Sequence, residues 1–303
     1  MMNRFILFMV FLLSSVSFWG QVNIVKSPMK PKTAVSSSVK KGERKVHASK
    51  ASVQEPFFFK ELKKLANKGD ASAMFLVGEY LENNVGLGDA LLWWKKAALK
   101  NHPMAQYKYG CWCTRGCYIN DDGKRVWESC NQKNFELGLG WIQKAANQNL
   151  PEAQEQIADI YEFGTGVEQD DEKAIFWIKK AAEQNLSSAM FKYGSVIIDT
   201  DSVKAVEWIT KAATKGYAEA QTFLGACYMR GYKVEQDMKK GFMWTRDAAL
   251  QGNVDAEYNL AVFYYNGMGC EKNIAEAAYW AGKAVQDGNE YAEKTLKEWF
   301  SEK

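Results

Sequence analysis

Tryptophan recurs in one frame along this chain, and that recurrence limits the folds open to it more than any other feature. Trp93, Trp141, Trp177, Trp208, Trp244 and Trp280 each stand four residues before an Ala-Ala pair, or Ala-Val at Ala284. Their spacing is 31 to 36 residues except for one step of 48. A second motif precedes each of them, as in EAQEQIADIYEFGTGV, EAQTFLGACYMRGYKV and DAEYNLAVFYYNGMGC. Its leading alanines are Ala73, Ala105, Ala153, Ala189, Ala220 and Ala256, with a terminal Ala292. A small residue follows five positions after each of the first six, and often an aromatic at eight.

A period of this size with two motifs reads as two helices per unit. In the first helix the small residue lets a neighbouring backbone approach closely. In the second, Trp and Ala four residues apart share a face, which assigns the Trp series to core packing rather than to a carbohydrate-binding platform. A Gly-containing loop joins the two helices, and Gly or Asn after the second acts as its C-cap. Each unit can bury its apolar stripe only against the next, so the units stack as a solenoid of αα-hairpins.

The motifs LGACY, YEFGTGV and FWIKKAA closely resemble the pattern of Sel1-like repeats, relatives of the tetratricopeptide repeats, and the resemblance runs over residues 57–299. It implies an all-α fold, a right-handed αα-hairpin solenoid of about six Sel1-like repeats within residues 56–303. The units start near residues 70, 102, 150, 186, 217 and 253. FFFKELKKLANKG precedes them as an unpaired helix, and a capping helix over 289–300 closes the end.

The chain begins MMNRFILFMVFLLSSVSFWG, a charged start, an apolar core and small residues, which reads as a signal peptide over residues 1–20. It is cleaved after Ser17 or Gly20, or retained as an anchor. Residues 21–55 hold eight Lys or Arg against two Glu, with many Ser, and read as a flexible basic linker. The formal net charge is +3, so with this basic segment set aside the repeat region is mildly acidic. An exported, acidic repeat body disfavours nucleic acid as a partner. Membrane contact is expected only through the signal segment or the linker, and the destination is the periplasm or the exterior.

Catalytic motifs do not appear. The chain has two His, His47 in the linker and His102 in an inter-repeat turn, and no HExxH, Gly-x-Ser-x-Gly or Gly-x-Gly-x-x-Gly. Asp170, Asp171 and Glu172 open a second helix and complement its dipole. No cofactor, metal ligand set or catalytic residue is assigned. The expectation is an exported, non-enzymatic scaffold that binds a protein or peptide. The alternative implied by the resemblance is a cell-wall fragment binder or weak β-lactamase-like hydrolase, as described for cysteine-rich relatives. This chain departs from those relatives, because its cysteines cluster in one unit and its Ala-Ala pairs are not Ala-Cys.

Binding is expected on the concave face lined by the first helices. The positions read as exposed there are Gln106, Tyr107, Gln154, Glu155, Gln221, Thr222, Glu257 and Tyr258. A second element is CWCTRGCYINDDGKRVWESC, residues 111–130, which makes the second unit twelve residues longer than its regular neighbours and inserts a loop between its two helices. Asn120, Asp121, Asp122 and Gly123 form its turn. Trp112, Arg115, Tyr118, Lys124, Arg125 and Trp127 are its prominent recognition groups.

Export predicts oxidised cysteines. Within the cluster the spacing allows Cys111 to Cys117 with Cys113 to Cys130, or Cys111 to Cys130 with Cys113 to Cys117, or a single bridge from Cys117 to Cys130. Cys227 and Cys270, one repeat plus seven residues apart, form another bridge or remain buried thiols. Without a Cys-x2-Cys knuckle the cluster does not read as a zinc site.

Overall fold

The structure, a computed structural model, describes residues 56–120, 122–127 and 131–300. The signal segment, the linker, Asp121 and Cys130 lie outside the described residues. Helix α1 (Phe57–Asn67) comes first. Six αα-hairpins follow: α2 (Ala71–Asn84) with α3 (Leu87–Leu99), α4 (Pro103–Cys113) with α5 (Gln132–Asn147), and α6 (Pro151–Phe163) with α7 (Asp171–Glu183). The later pairs are α8 (Ser187–Ile197) with α9 (Ser202–Thr214), α10 (Ala218–Arg230) with α11 (Met238–Leu250), and α12 (Val254–Asn266) with α13 (Ile274–Gln286). Helix α14 (Ala292–Phe300) closes the order. The fold is an αα-hairpin solenoid, and its residues divide into two compact units, one ending at Ile157 and one beginning at Ala158.

Local chemistry sets the helix limits. The side chains of Asp70, Asn131, Asp170, Asp201, Asp237, Asn253 and Asn273 each accept a hydrogen bond from the backbone N–H three residues on, and His102 does the same through Nδ1. Each such cap satisfies one of the donors that a helix start leaves open. After the second helices the chain turns through a left-handed residue at Asn101, Asn149 and Asn185, with φ of 65°, 62° and 69°, or through Gly216, Gly252 and Gly288. Asn and Gly tolerate that conformation at least cost.

Each hairpin closes on a small residue in its first helix. An added Cβ on Gly78 would meet the Trp94 ring at 2.5 Å, and one on Gly110 would meet the Gly138 carbonyl and Ile142 at 2.8 Å. On Gly194 it would meet Ile209 at 2.7 Å, and on Gly225 the hydroxyl of Thr245. The residue after the recurring Trp takes the place facing that small residue, and Trp94, Ile142, Ile178, Ile209, Thr245 and Ala281 are all buried.

The recurring Trp itself sits at the edge of the core. Trp93, Trp141, Trp177, Trp208 and Trp244 are half-buried, and only Trp280 is buried. All five pack against the apolar clusters of the core, as the sequence implied, with part of each indole left at the edge. In four of the five a Lys three residues on lies over the indole: Lys96 and Lys144 are each 4.4 Å from the rings of Trp93 and Trp141, Lys211 is 4.6 Å from Trp208 and Lys180 5.3 Å from Trp177. The long Lys stem shields apolar surface while its charge stays wet.

Candidate functional site

The residues after the leading alanines do not form a solvated face. Gln106, Gln154 and Gln221 are buried, as are Glu257 and Tyr258, so the reading of these five as exposed concave-face contacts is corrected. The physical reason is that first helices pack against elements on both sides, and a polar side chain there must find its partner inside. Each Gln amide donates to the carbonyl eight residues earlier, at the end of the preceding second helix: Gln106 to Ala98 at 3.2 Å, Gln154 to Ala146 at 3.1 Å, Gln221 to Ala213 at 3.0 Å. The Gln106 and Gln221 carbonyl oxygens accept from Gln148 and Gln251, both at 2.7 Å. Tyr258 directs its hydroxyl to Thr295, 3.1 Å away. Tyr107, Glu155 and Thr222 remain half-buried.

The insert of the second unit folds. Cys117–Ile119 (β1) and Arg125–Trp127 (β2) pair antiparallel, with Tyr118 opposite Val126. Asn120 shapes the turn, accepting from the Lys124 backbone N–H at 2.8 Å. The hairpin is seated on α3 and α4. The Tyr109 hydroxyl accepts from the Ile119 N–H at 3.0 Å, and Lys95 donates to the Ile119 carbonyl at 2.7 Å and to that of Asn120 at 3.2 Å. Cys117 and Ile119 are buried in the same apolar cluster as Trp94 and Tyr109, with Trp112 and Tyr118 packed against it. Arg115 is exposed and stacks over Trp112 at 5.3 Å, while the exposed Arg125 lies against Gly88. The Trp127 side chain lies outside what the structure describes.

Lys95 and Tyr109 carry this seat, and sequence reading missed both. Their signal is present only in the repeat frame, where Tyr109 falls in the helix that leads into the insertion and Lys95 in the helix before that one.

The thiols are quiet. Cys111, Cys113, Cys117, Cys227 and Cys270 are free. Burial pushes Cys111 up to about 11 and Cys113 and Cys227 up to about 12, and it raises Cys117 and Cys270 as well, so all stay protonated at neutral pH. Bridges from Cys111 to Cys117, Cys113 to Cys117 and Cys227 to Cys270 are not formed. Cys111 and Cys113 instead face the Tyr107 and Tyr109 hydroxyls one helical turn back. Cys227 is buried beside Phe223 and Leu224, whereas Cys270 joins Met229 and Phe263 in another cluster. The bridges that use Cys130 lie outside the described residues.

Ion pairs link neighbouring first helices in each compact unit. Lys108 meets Glu79 at 2.7 Å and Glu82 at 3.3 Å, and Lys192 meets Asp159 at 2.8 Å. Asp159, Glu162 and Lys192 rim a crevice of about 20 Å³ floored by Ala174 and Ile178. That is room for about one water, against the ~300–1,000 Å³ of a small-molecule site. Burial, with Asp159 nearby, raises the Glu162 carboxyl. His102 is lowered by burial, against the pull of Asp70, and stacks on Phe75 at 4.7 Å. Among the described residues no group of three His, Cys, Asp or Glu could hold a metal ion, and no helix is long and apolar enough to cross a membrane.

The family model for the Sel1 repeat matches six times, over residues 71–102, 103–150, 151–186, 185–217, 218–253 and 254–289. Among solved structures, a Sel1 repeat protein from Oxalobacter formigenes is 28% identical with a TM-score of 0.67, covering 79% of this chain and 68% of that one. A protective antigen of uropathogenic Escherichia coli with an SLR fold is 26% identical with a TM-score of 0.66, over 80% of this chain. The chain spans 52% of that antigen's length. Helicobacter pylori cysteine rich protein B is 26% identical with a TM-score of 0.36, over 41% of this chain and 93% of that one. No curated protein matches the chain.

Proposed function

The chain belongs to the Sel1 repeat family, whose members serve generally as protein–protein interaction scaffolds, and from that premise we propose an exported, non-enzymatic adaptor that grips a protein or peptide partner through the insert of its second repeat. The observation that carries the reading is the seat of the hairpin. An insertion without function would cost ordering entropy for no gain. Here Tyr109 and Lys95 engage its backbone, and Cys117 and Ile119 anchor it in the core. The anchored hairpin presents Arg125 and the outer part of Tyr118 on a preformed support, with Arg115 exposed in the turn that leads into it. Preorganised aromatic and Arg groups are the residue types that dominate interface energies.

Thiols raised by burial and a sequence without a catalytic motif support the non-enzymatic part. The apolar start and basic linker of the sequence support export. A disulfide using Cys130 belongs to the same proposal, because it would tie down the far end of the insert, and intact mass with and without reductant reads it.

The test is affinity capture from an envelope extract with the parent chain and with Arg115→Ala/Arg125→Ala. A stoichiometric protein held by the parent and lost by the variant, at equal melting temperature, is the expected result. Equal capture by both, saturable binding of muropeptides, or hydrolysis of nitrocefin would overturn it.

A further inference from the structure

The sixth repeat breaks the pattern of the buried glutamines at Glu257. It occupies the place that Gln106, Gln154 and Gln221 fill in the second, third and fifth repeats, one residue after the leading alanine. In the first and fourth repeats the place is taken by Met74 and Met190, both buried, so an apolar side chain also satisfies it. Glu257 is fully buried.

Where each Gln donates its amide to a helix-ending carbonyl eight residues back, the corresponding acceptor for Glu257 is the carbonyl of Ala249. A carboxylate has no hydrogen to give it. Glu257 Oε1 contacts the Lys283 ammonium, while Oε2 is buried with no hydrogen-bond partner.

We propose that Glu257 is held as the neutral carboxylic acid, its Oε2–H donating to the Ala249 carbonyl in place of the glutamine amide. The sixth repeat is then latched to the fifth by a proton, and its loss sets a charged oxygen against a carbonyl oxygen and loosens α12, α13 and α14 from α11.

The surrounding charges support the neutral form. Lys283 also meets Asp287, at 3.5 Å, so its charge is answered without Glu257 and the junction is neutral only when Glu257 is protonated. Arg246 and Asp247 of α11 pair with each other at 3.2 Å. On α14, Glu293 pairs with Lys297 at 2.7 Å and Glu298 with Lys294 at 3.7 Å. Burial raises the Glu257 carboxyl most, Lys283 opposes the rise, and Asp287 adds to it. With a native pKa above the unfolded one, the stabilisation is complete below the unfolded value and fades as pH climbs through the native value.

Thermal melting of the full chain against pH, for the parent and for Glu257→Gln, tests the latch. The variant carries the amide of its sister repeats and has no proton to lose. It is expected to melt roughly 2–4 °C above the parent at about pH 8, with the gap closing toward about pH 5. Amides of α12, α13 and α14 in the parent should exchange faster at the higher pH, beyond the intrinsic rate, and those of the variant should not. Parallel melting profiles, or a variant less stable than the parent at high pH, would overturn the proposal. Should the variant not fold, carboxyl-carbon NMR of the glutamate-labelled parent decides. A Glu carboxyl that titrates above the ordinary value of about 4.3 is expected, and titration of every Glu near that value sinks the idea.

Discussion

The second and fifth repeats answer the same packing problem with the same parts and then part company at the loop. In both, Gly lies on Gly where the helices cross: a Cβ on Gly138 would stand 2.6 Å from the Gly110 carbonyl, and one on Gly241 3.1 Å from that of Gly225. In both, a buried Gln receives from a Gln at the end of the paired helix and donates to the helix before. The fifth repeat closes α10 with a left-handed Gly231, and Gln236 donates to the Met229 carbonyl at 2.8 Å. The second replaces that tight closure with a β-hairpin pinned by Tyr109 and Lys95. The helix crossing leaves almost no freedom, whereas the loop is open to any insert that brings its own hydrogen bonds.

The residue that fills the crossing gives the sharpest way to break this comparison. Ile142→Ala in the second repeat removes a fully buried side chain and should cost about 2–5 kcal/mol, read as the loss of denaturant midpoint. A cost under about 1 kcal/mol would mean that the crossing is not shared between the two repeats.

A smaller effect separates the loops. Tyr109→Phe keeps the ring against Trp141, 5.9 Å away, and deletes only the hydroxyl that serves Ile119. It should cost about 1–2 kcal/mol and raise amide exchange in residues 117–119 while leaving the fifth repeat unchanged. Protection spread evenly over the chain would show that the hairpin is not a separate attachment.

The smallest change goes the other way. Thr245 holds the Ile142 position of the fifth repeat, and its buried hydroxyl has no hydrogen-bond partner. Thr245→Val should therefore stabilise by about 1 kcal/mol in the same denaturation experiment, and a loss would show that the hydroxyl is satisfied after all.

The repeat frame and its helix limits were legible because capping residues and small residues must recur wherever the geometry recurs. Asp170, Asp201 and Asp237 hold one position in three successive repeats, and each caps a second helix. Depth of burial was less legible. Trp is the constant residue and draws attention, yet its variable neighbour is the more buried of the two and trades volume against the facing helix: Trp94 opposite Gly78, but Ala281 where the small residue is Ala261. A lone sequence shows constancy more readily than compensation.

The concave-face residues failed for a related reason. A Gln beside an Ala looks solvated in a string of letters, and only the stacked neighbour reveals the carbonyl it serves. The insert was legible as an insertion with a turn at Asn120 and Gly123, but not as a seated hairpin, since Lys95 lies 24 residues from the carbonyl that it holds.

The buried glutamines also bear on how such a chain can lengthen. Each brings its own donor and asks of its predecessor only a backbone carbonyl, which every second helix supplies whatever its side chains. A duplicated repeat of this kind can follow any other without orphaning a polar group, so copying is nearly neutral at the joint. The sixth repeat is different, for Glu257 works with Lys283 and Asp287 and must move with them.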